Sequence, residues 1–86
     1  MYELFIEKSA EKSLRKLPRT TVEKIIEKIL LLKENPRPSG YRKIIGAESD
    51  YRIRVGDYRV IYELDEARKR VTVMAAGHRK DVYKRG

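Results

Sequence analysis

Twelve residues constrain this chain more than any others: Tyr51-Arg52-Ile53-Arg54-Val55-Gly56-Asp57-Tyr58-Arg59-Val60-Ile61-Tyr62. Apolar and polar side chains alternate on both sides of Gly56-Asp57, a two-residue turn signal flanked by β-branched and aromatic residues. The pattern predicts an antiparallel hairpin with strands over 51–55 and 58–64. With a two-residue loop, Val55 must pair with Tyr58, Arg54 with Arg59, Ile53 with Val60, Arg52 with Ile61 and Tyr51 with Tyr62. Side chains alternate across a strand, so Tyr51, Ile53, Val55, Tyr58, Val60 and Tyr62 share one face. Arg52, Arg54 and Arg59 share the other.

The remaining elements follow from local signals. Residues 2–6 (YELFI) read as a strand. Ser9 is placed to cap a helix that runs to about Leu17, with Ala10, Leu14 and Leu17 at helical spacing, and Pro18 stops it. Thr20 and Glu23 form a capping-box pattern, and Val22, Ile25, Ile26, Ile29 and Leu30 form the stripe of a second helix that ends near Glu34. So short a link makes the two helices a hairpin. Residues 36–40 (PRPSG) read as a loop, and 71–76 (VTVMAA) as a last strand after a charged turn. The expected fold is α+β: an N-terminal strand, a helical hairpin, then a three-stranded antiparallel meander (βααβββ), with the helices packed on one face of the sheet.

At 86 residues the chain is expected to form one domain, 1–86. No apolar run approaches the roughly 20 residues of a membrane span. The first twelve residues lack a basic start and an apolar stretch, so no secretory signal and a cytoplasmic location are expected. With no cysteine there is no disulfide framework, thiol nucleophile or thiolate metal site. Glu63, Asp65 and Glu66 match no calcium loop. Ser9 and Ser39 have no base nearby in sequence, and one histidine, His78, cannot form an acid–base pair.

Charge singles out the late part of the chain. The net charge is +8; residues 1–50 hold 11 basic and 8 acidic side chains, and residues 51–86 hold 10 and 5. Like charges opposite each other destabilise a sheet, so a face bearing Arg52, Arg54 and Arg59 points to an anion as its partner. The segment Gly77-His78-Arg79-Lys80-Asp81-Val82-Tyr83-Lys84-Arg85 adds cations and a tyrosine suited to stacking on a base. Such residues suit a polyanion, and RNA brings its own nucleophile, the 2′-OH. The rest is alignment and charge stabilisation.

The hairpin segment followed by Gly77-His78-Arg79-Lys80-Asp81-Val82-Tyr83 resembles the RelE branch of the RelE/ParE toxins of prokaryotic toxin–antitoxin pairs. The resemblance spans almost the whole chain, including the Leu17-Pro18 break and the Asn35-Pro36 loop. It implies a ribosome-dependent, metal-independent endoribonuclease, without cofactor, that cleaves mRNA in the A site by 2′-OH attack and leaves a cyclic phosphate. By position, Arg52 and Arg54 match the basic residues of the first hairpin strand and Arg59 the arginine on the scissile phosphate. Arg79 matches the residue that assists the leaving group, and Tyr83 the tyrosine that stacks on a base and helps activate the nucleophile. His78, Lys80, Lys84 and Arg85 are expected to bind RNA beside them. A well-known member carries lysine where Arg52 and Arg54 stand, and arginine is harder to deprotonate, which favours charge stabilisation over a base role for Arg52. The implied partners are the small ribosomal subunit, mRNA and an acidic RelB-type antitoxin, with no membrane. Two other readings stay open: a ParE-like inhibitor of DNA gyrase, and an RNA-binding module without catalysis.

Overall fold

The computed structural model describes residues 1–44 and 50–82. Its elements are β1 (Glu3–Ile6), α1 (Lys8–Arg15), α2 (Arg19–Leu31), β2 (Arg42–Lys43), β3 (Asp50–Val55), β4 (Tyr58–Asp65) and β5 (Arg70–His78). The expected meander is present as β3-β4-β5, and the sheet is wider than the meander. Its order is β1-β5-β4-β3-β2, with β1 parallel to β5 at one edge and the two-residue β2 antiparallel to β3 at the other. The hairpin register matches the expected one at all five pairs. Gly56 has φ +62° while Asp57 has no positive φ, the pattern of a type II′ turn, whose twist suits the flanking strands.

Both helices lie on one face. Ala10 and Leu14 of α1 and Ile25 and Ile29 of α2 are buried against Ile53, Val60, Tyr62, Leu64, Val71 and Val73 of the sheet. Leu30, expected in the stripe, is 52% exposed; Leu32, one residue past the end of α2, is buried instead. A three-residue step from Ile29 stays on the packed face, whereas a one-residue step turns about 100° away. A second, smaller cluster of Ile61, Ala75 and Val82, with Ile44 and Met74, also forms.

Three local expectations are corrected. Ser9 does not cap α1: Glu7 stands at the N-cap without a side-chain bond, and the Ser9 hydroxyl donates to the Met74 carbonyl at 3.3 Å, tying the helix to β5. The Thr20 capping box does not form, because Pro18 occupies the N-cap of α2 and its carbonyl accepts the Val22 N–H at 3.0 Å. Proline's fixed φ and missing N–H suit that boundary, so the residue that stops α1 also starts α2. The last turn, which carries the chain to Glu34, consists of i→i−3 bonds beyond the end of α2 at Leu31.

The turn between β4 and β5 is clasped to the N-terminus and to the loop before β2. Glu66 accepts the Tyr2 hydroxyl at 2.6 Å on one oxygen and pairs with Arg37 at 2.6 Å on the other. The Tyr2 hydroxyl, with Arg37 next, holds the Glu66 carboxyl below the usual carboxylate range. A carboxyl whose folded pKa is depressed contributes stability that is complete above its unfolded pKa and is lost as pH falls through the folded one. Glu66→Gln is therefore expected to melt below wild type at neutral pH, with the gap closing as the pH drops through the acidic range. A gap that stays constant with pH in melting curves would show that the charge is not what matters.

Candidate functional site

The face of the sheet away from the helices carries the arginines. Arg54 and Arg59 stand directly opposite each other across β3 and β4. Arg59 is half-buried, and its Nη1 donates to the carbonyls of Gly56 at 3.1 Å and Tyr58 at 2.9 Å. These bonds aim the guanidinium and leave its other donors to a ligand. Two guanidinium charges about 5 Å apart repel by roughly 1 kcal/mol in water and more where solvent is scarce.

Arg79 reaches this face because β5 carries a bulge. Ile61 pairs with Ala75 but Tyr62 pairs with Val73, so Met74 is an extra residue. Val71 and Val73 belong to the helix-side core, and strict alternation would send Ala75, Gly77 and Arg79 there too. The extra residue reverses the alternation: Ala76 is in the helix-side core and Ala75 in the other cluster. Arg79 then follows on the arginine side, its N–H donating to the Asp57 carbonyl at 2.9 Å at the tip of the hairpin. Bulges that re-aim a side chain are frequent beside active sites.

These residues line a groove of about 590 Å³. Its lining comprises Arg42, Arg52, Arg54, Arg59 and Arg79 from the sheet and its end, with Lys28 and Leu31 of α2 and Pro38, Ser39 and Gly40 of the loop before β2. Ile53 reaches it because β2 pairs with β3 only at Tyr51 and Arg52, so the outer edge of β3 beyond them has no strand partner among the described residues. Among the described residues the lining holds six cations and no acidic side chain. Lysine and arginine side chains offer several donors and no acceptor, so the groove is equipped to bind and neutralise anionic oxygens.

Four of the anticipated residues, Arg52, Arg54, Arg59 and Arg79, thus share one groove. His78 is not in its lining. It pairs with Tyr58, against whose ring it stands edge-on at 5.6 Å, and its Nδ1 accepts the Lys80 N–H at 3.2 Å. Lys80 is exposed and outside the lining as well. Tyr83, Lys84 and Arg85 lie outside the described residues. Val82, just before them, is buried with Ile61 and Ala75, which anchors the chain there. Sequence reasoning missed Arg42 and Lys28. Arg42 sits in a stretch with no strand signal, and its register opposite Arg52 is set by tertiary pairing alone.

A sheet of this topology with a helical hairpin on one face matches the fold of solved RelE toxins. The isolated E. coli RelE toxin is 29% identical over 91% of this chain and 84% of its own, with a TM-score of 0.78. The toxin in the archaeal RelE–RelB complex from Pyrococcus horikoshii is 29% identical over 94% of this chain and 98% of its own, with a TM-score of 0.81. The RelB–RelE antitoxin–toxin complex from Methanococcus jannaschii, 24% identical over 95% of this chain and 98% of its own, shares the fold with a TM-score of 0.78. The family described as the ParE toxin of type II toxin–antitoxin systems matches residues 4–83, and the chain belongs to it. No curated protein sequence matches the chain.

Proposed function

We propose that this toxin is a ribosome-dependent endoribonuclease that cuts mRNA in the A site, with residues 1–86 acting as one domain in the cytoplasm. The observation that carries the reading is the convergence of Arg52, Arg54, Arg59 and Arg79 on one groove, with no acidic residue among those described in its lining. In the proposed reaction the 2′-oxygen attacks phosphorus as the bond to the 5′-oxygen breaks. The 2′-OH proton leaves to a base and the departing oxygen takes one up, giving a cyclic phosphate and a 5′-OH. Arg59, with Arg52 and Arg54, neutralises the charge that builds on the phosphoryl oxygens, and Arg79 assists the leaving oxygen. Tyr83 stacks on a base and helps activate the 2′-OH, with His78, Lys80, Lys84 and Arg85 binding RNA alongside. A guanidinium offers donors and no acceptor for a proton, which is why alignment of the RNA by the ribosome is part of the proposal. A RelB-type antitoxin as partner is supported by the RelB-bound complexes among the similar structures.

The match to a family described by the ParE toxin favours a second reading, inhibition of DNA gyrase. One pair of assays separates the two. Purified protein is expected to cut mRNA on programmed ribosomes, seen by primer extension, and barely to cut the same RNA free in solution. Intact ribosome-bound mRNA together with inhibited gyrase supercoiling would replace the first reading with the second.

A further inference from the structure

The groove continues past the arginines that the proposed reaction uses. Arg42 stands directly across from Arg52 at the β2–β3 pair. Arg52 lies two residues further from the hairpin tip than Arg54, or about 6.6 Å along the strand. Lys28 of α2 lines the same groove. We propose that Arg42 and Lys28 form a second phosphate site, so that the groove grips at least two phosphates of one single-stranded RNA; the proposal rests on the nuclease reading for the identity of its ligand.

Four observations support it. Like charges are set directly opposite each other at Arg54 and Arg59, an arrangement that weakens a sheet unless an anion lies over it, and Arg42, across from Arg52, extends the cationic row. One phosphate diester carries a single charge, against six cations along the groove. The groove is also larger than one phosphate needs, falling in the range that holds a drug-sized ligand. Leu31, 55% exposed, and Pro38 put apolar surface beside the cations, as a nucleotide with both a charged backbone and an apolar base face requires. Since the scissile phosphate is placed at Arg59 and Arg79 near the hairpin tip, the neighbouring nucleotides on one side run toward Arg42. A purely structural role for Arg42, as a charge that keeps the short edge strand β2 from pairing with other chains, predicts no effect on RNA.

The test uses the full chain and a 2′-O-methyl hexanucleotide, which cannot be cut, with binding followed by fluorescence anisotropy over a range of salt. Each phosphate that is no longer neutralised lowers the slope of log K against log salt by about 0.7 for a single strand. Arg42→Ala and Lys28→Ala are each expected to reduce the slope by that amount and the double variant by about twice as much. Arg42→Lys should keep the wild-type slope, as should Lys12→Ala on α1. On programmed ribosomes Arg42→Ala is expected to raise KM severalfold with little change in kcat, the signature of lost uniform binding. A wild-type slope for Arg42→Ala, or no hexanucleotide binding by wild type at low salt, overturns the proposal. So does a loss of affinity for oligoglutamate with RNA binding unchanged, which would assign the site to an acidic polypeptide. If wild type leaves ribosomal mRNA uncut while the slopes fall as stated, the nuclease reading fails and the second phosphate site stands.

Discussion

Replacing Arg59 with alanine is expected to slow mRNA cleavage on programmed ribosomes by roughly 10²- to 10³-fold, the loss typical of one donor aimed at developing negative charge. The fold should barely notice: the stability change is expected to stay within about 0.5 kcal/mol. Two small effects oppose each other. The variant loses the bonds to the Gly56 and Tyr58 carbonyls, and it relieves the repulsion from Arg54 across the strands. Activity and stability therefore separate, and a thermal melt of the same preparation shows whether lost cleavage is lost folding. Arg59→Lys should recover little, because an ammonium cannot hold both backbone carbonyls and still present a flat pair of donors to a phosphate. A rate within a few-fold of wild type for Arg59→Ala would remove Arg59 from the reaction, and the same result for Arg79→Ala would leave the groove as a binding surface only.

How far the sequence determines these residues' positions differs from one to the next. The Arg54–Arg59 pair was legible because Gly56-Asp57 admits one register, and a one-residue slip would turn Ile53 and Val60 to solvent. The position of Arg79 was legible only as proximity to the hairpin. Its side depends on the bulge at Met74, and nothing in Val71 to Ala76 announces one. Small residues at 75 and 76 are compatible with either face. Arg42 was invisible because β2 is two residues long and exists only where β3 offers an edge. At the helix ends the local signals were real but outcompeted. Ser9 finds the Met74 carbonyl on β5 in place of its own helix, and Pro18 holds the position Thr20 was expected to take. The parallel pairing of β1 with β5 had no local signal at all, since it joins residues about 67 positions apart. What the sequence shows directly is what neighbouring residues decide; what it hides was decided by partners distant in the chain.

Tyr62→Ala is expected to cost the fold far more than any change in the groove, about 3–5 kcal/mol from the lost ring alone. Among the described residues Tyr62 is the largest side chain that is fully buried, at 0% exposure, and its ring lies 5.9 Å from that of Tyr51. Its hydroxyl donates to the Pro36 carbonyl at 2.6 Å, and burial pushes its phenol above the usual tyrosine range, so it remains a donor near neutral pH. For a domain whose total stability is of order 5–15 kcal/mol, that loss leaves little folded protein at physiological temperature. At roughly 4–8 °C per kcal/mol, the melting temperature should fall by at least about 12 °C. Tyr62→Phe separates the ring from the hydroxyl. It keeps the packing and leaves the Pro36 carbonyl without its donor, for a smaller loss of about 1–3 kcal/mol. The phenylalanine variant has a second expected readout. Pro36 begins the loop whose Pro38, Ser39 and Gly40 line part of the groove, so releasing it should raise KM on programmed ribosomes in a variant that still folds. Equal melting temperatures for Tyr62→Phe and wild type would mean that the hydroxyl bond contributes nothing net. An unchanged KM in the folded variant would mean that the loop holds its part of the groove without it.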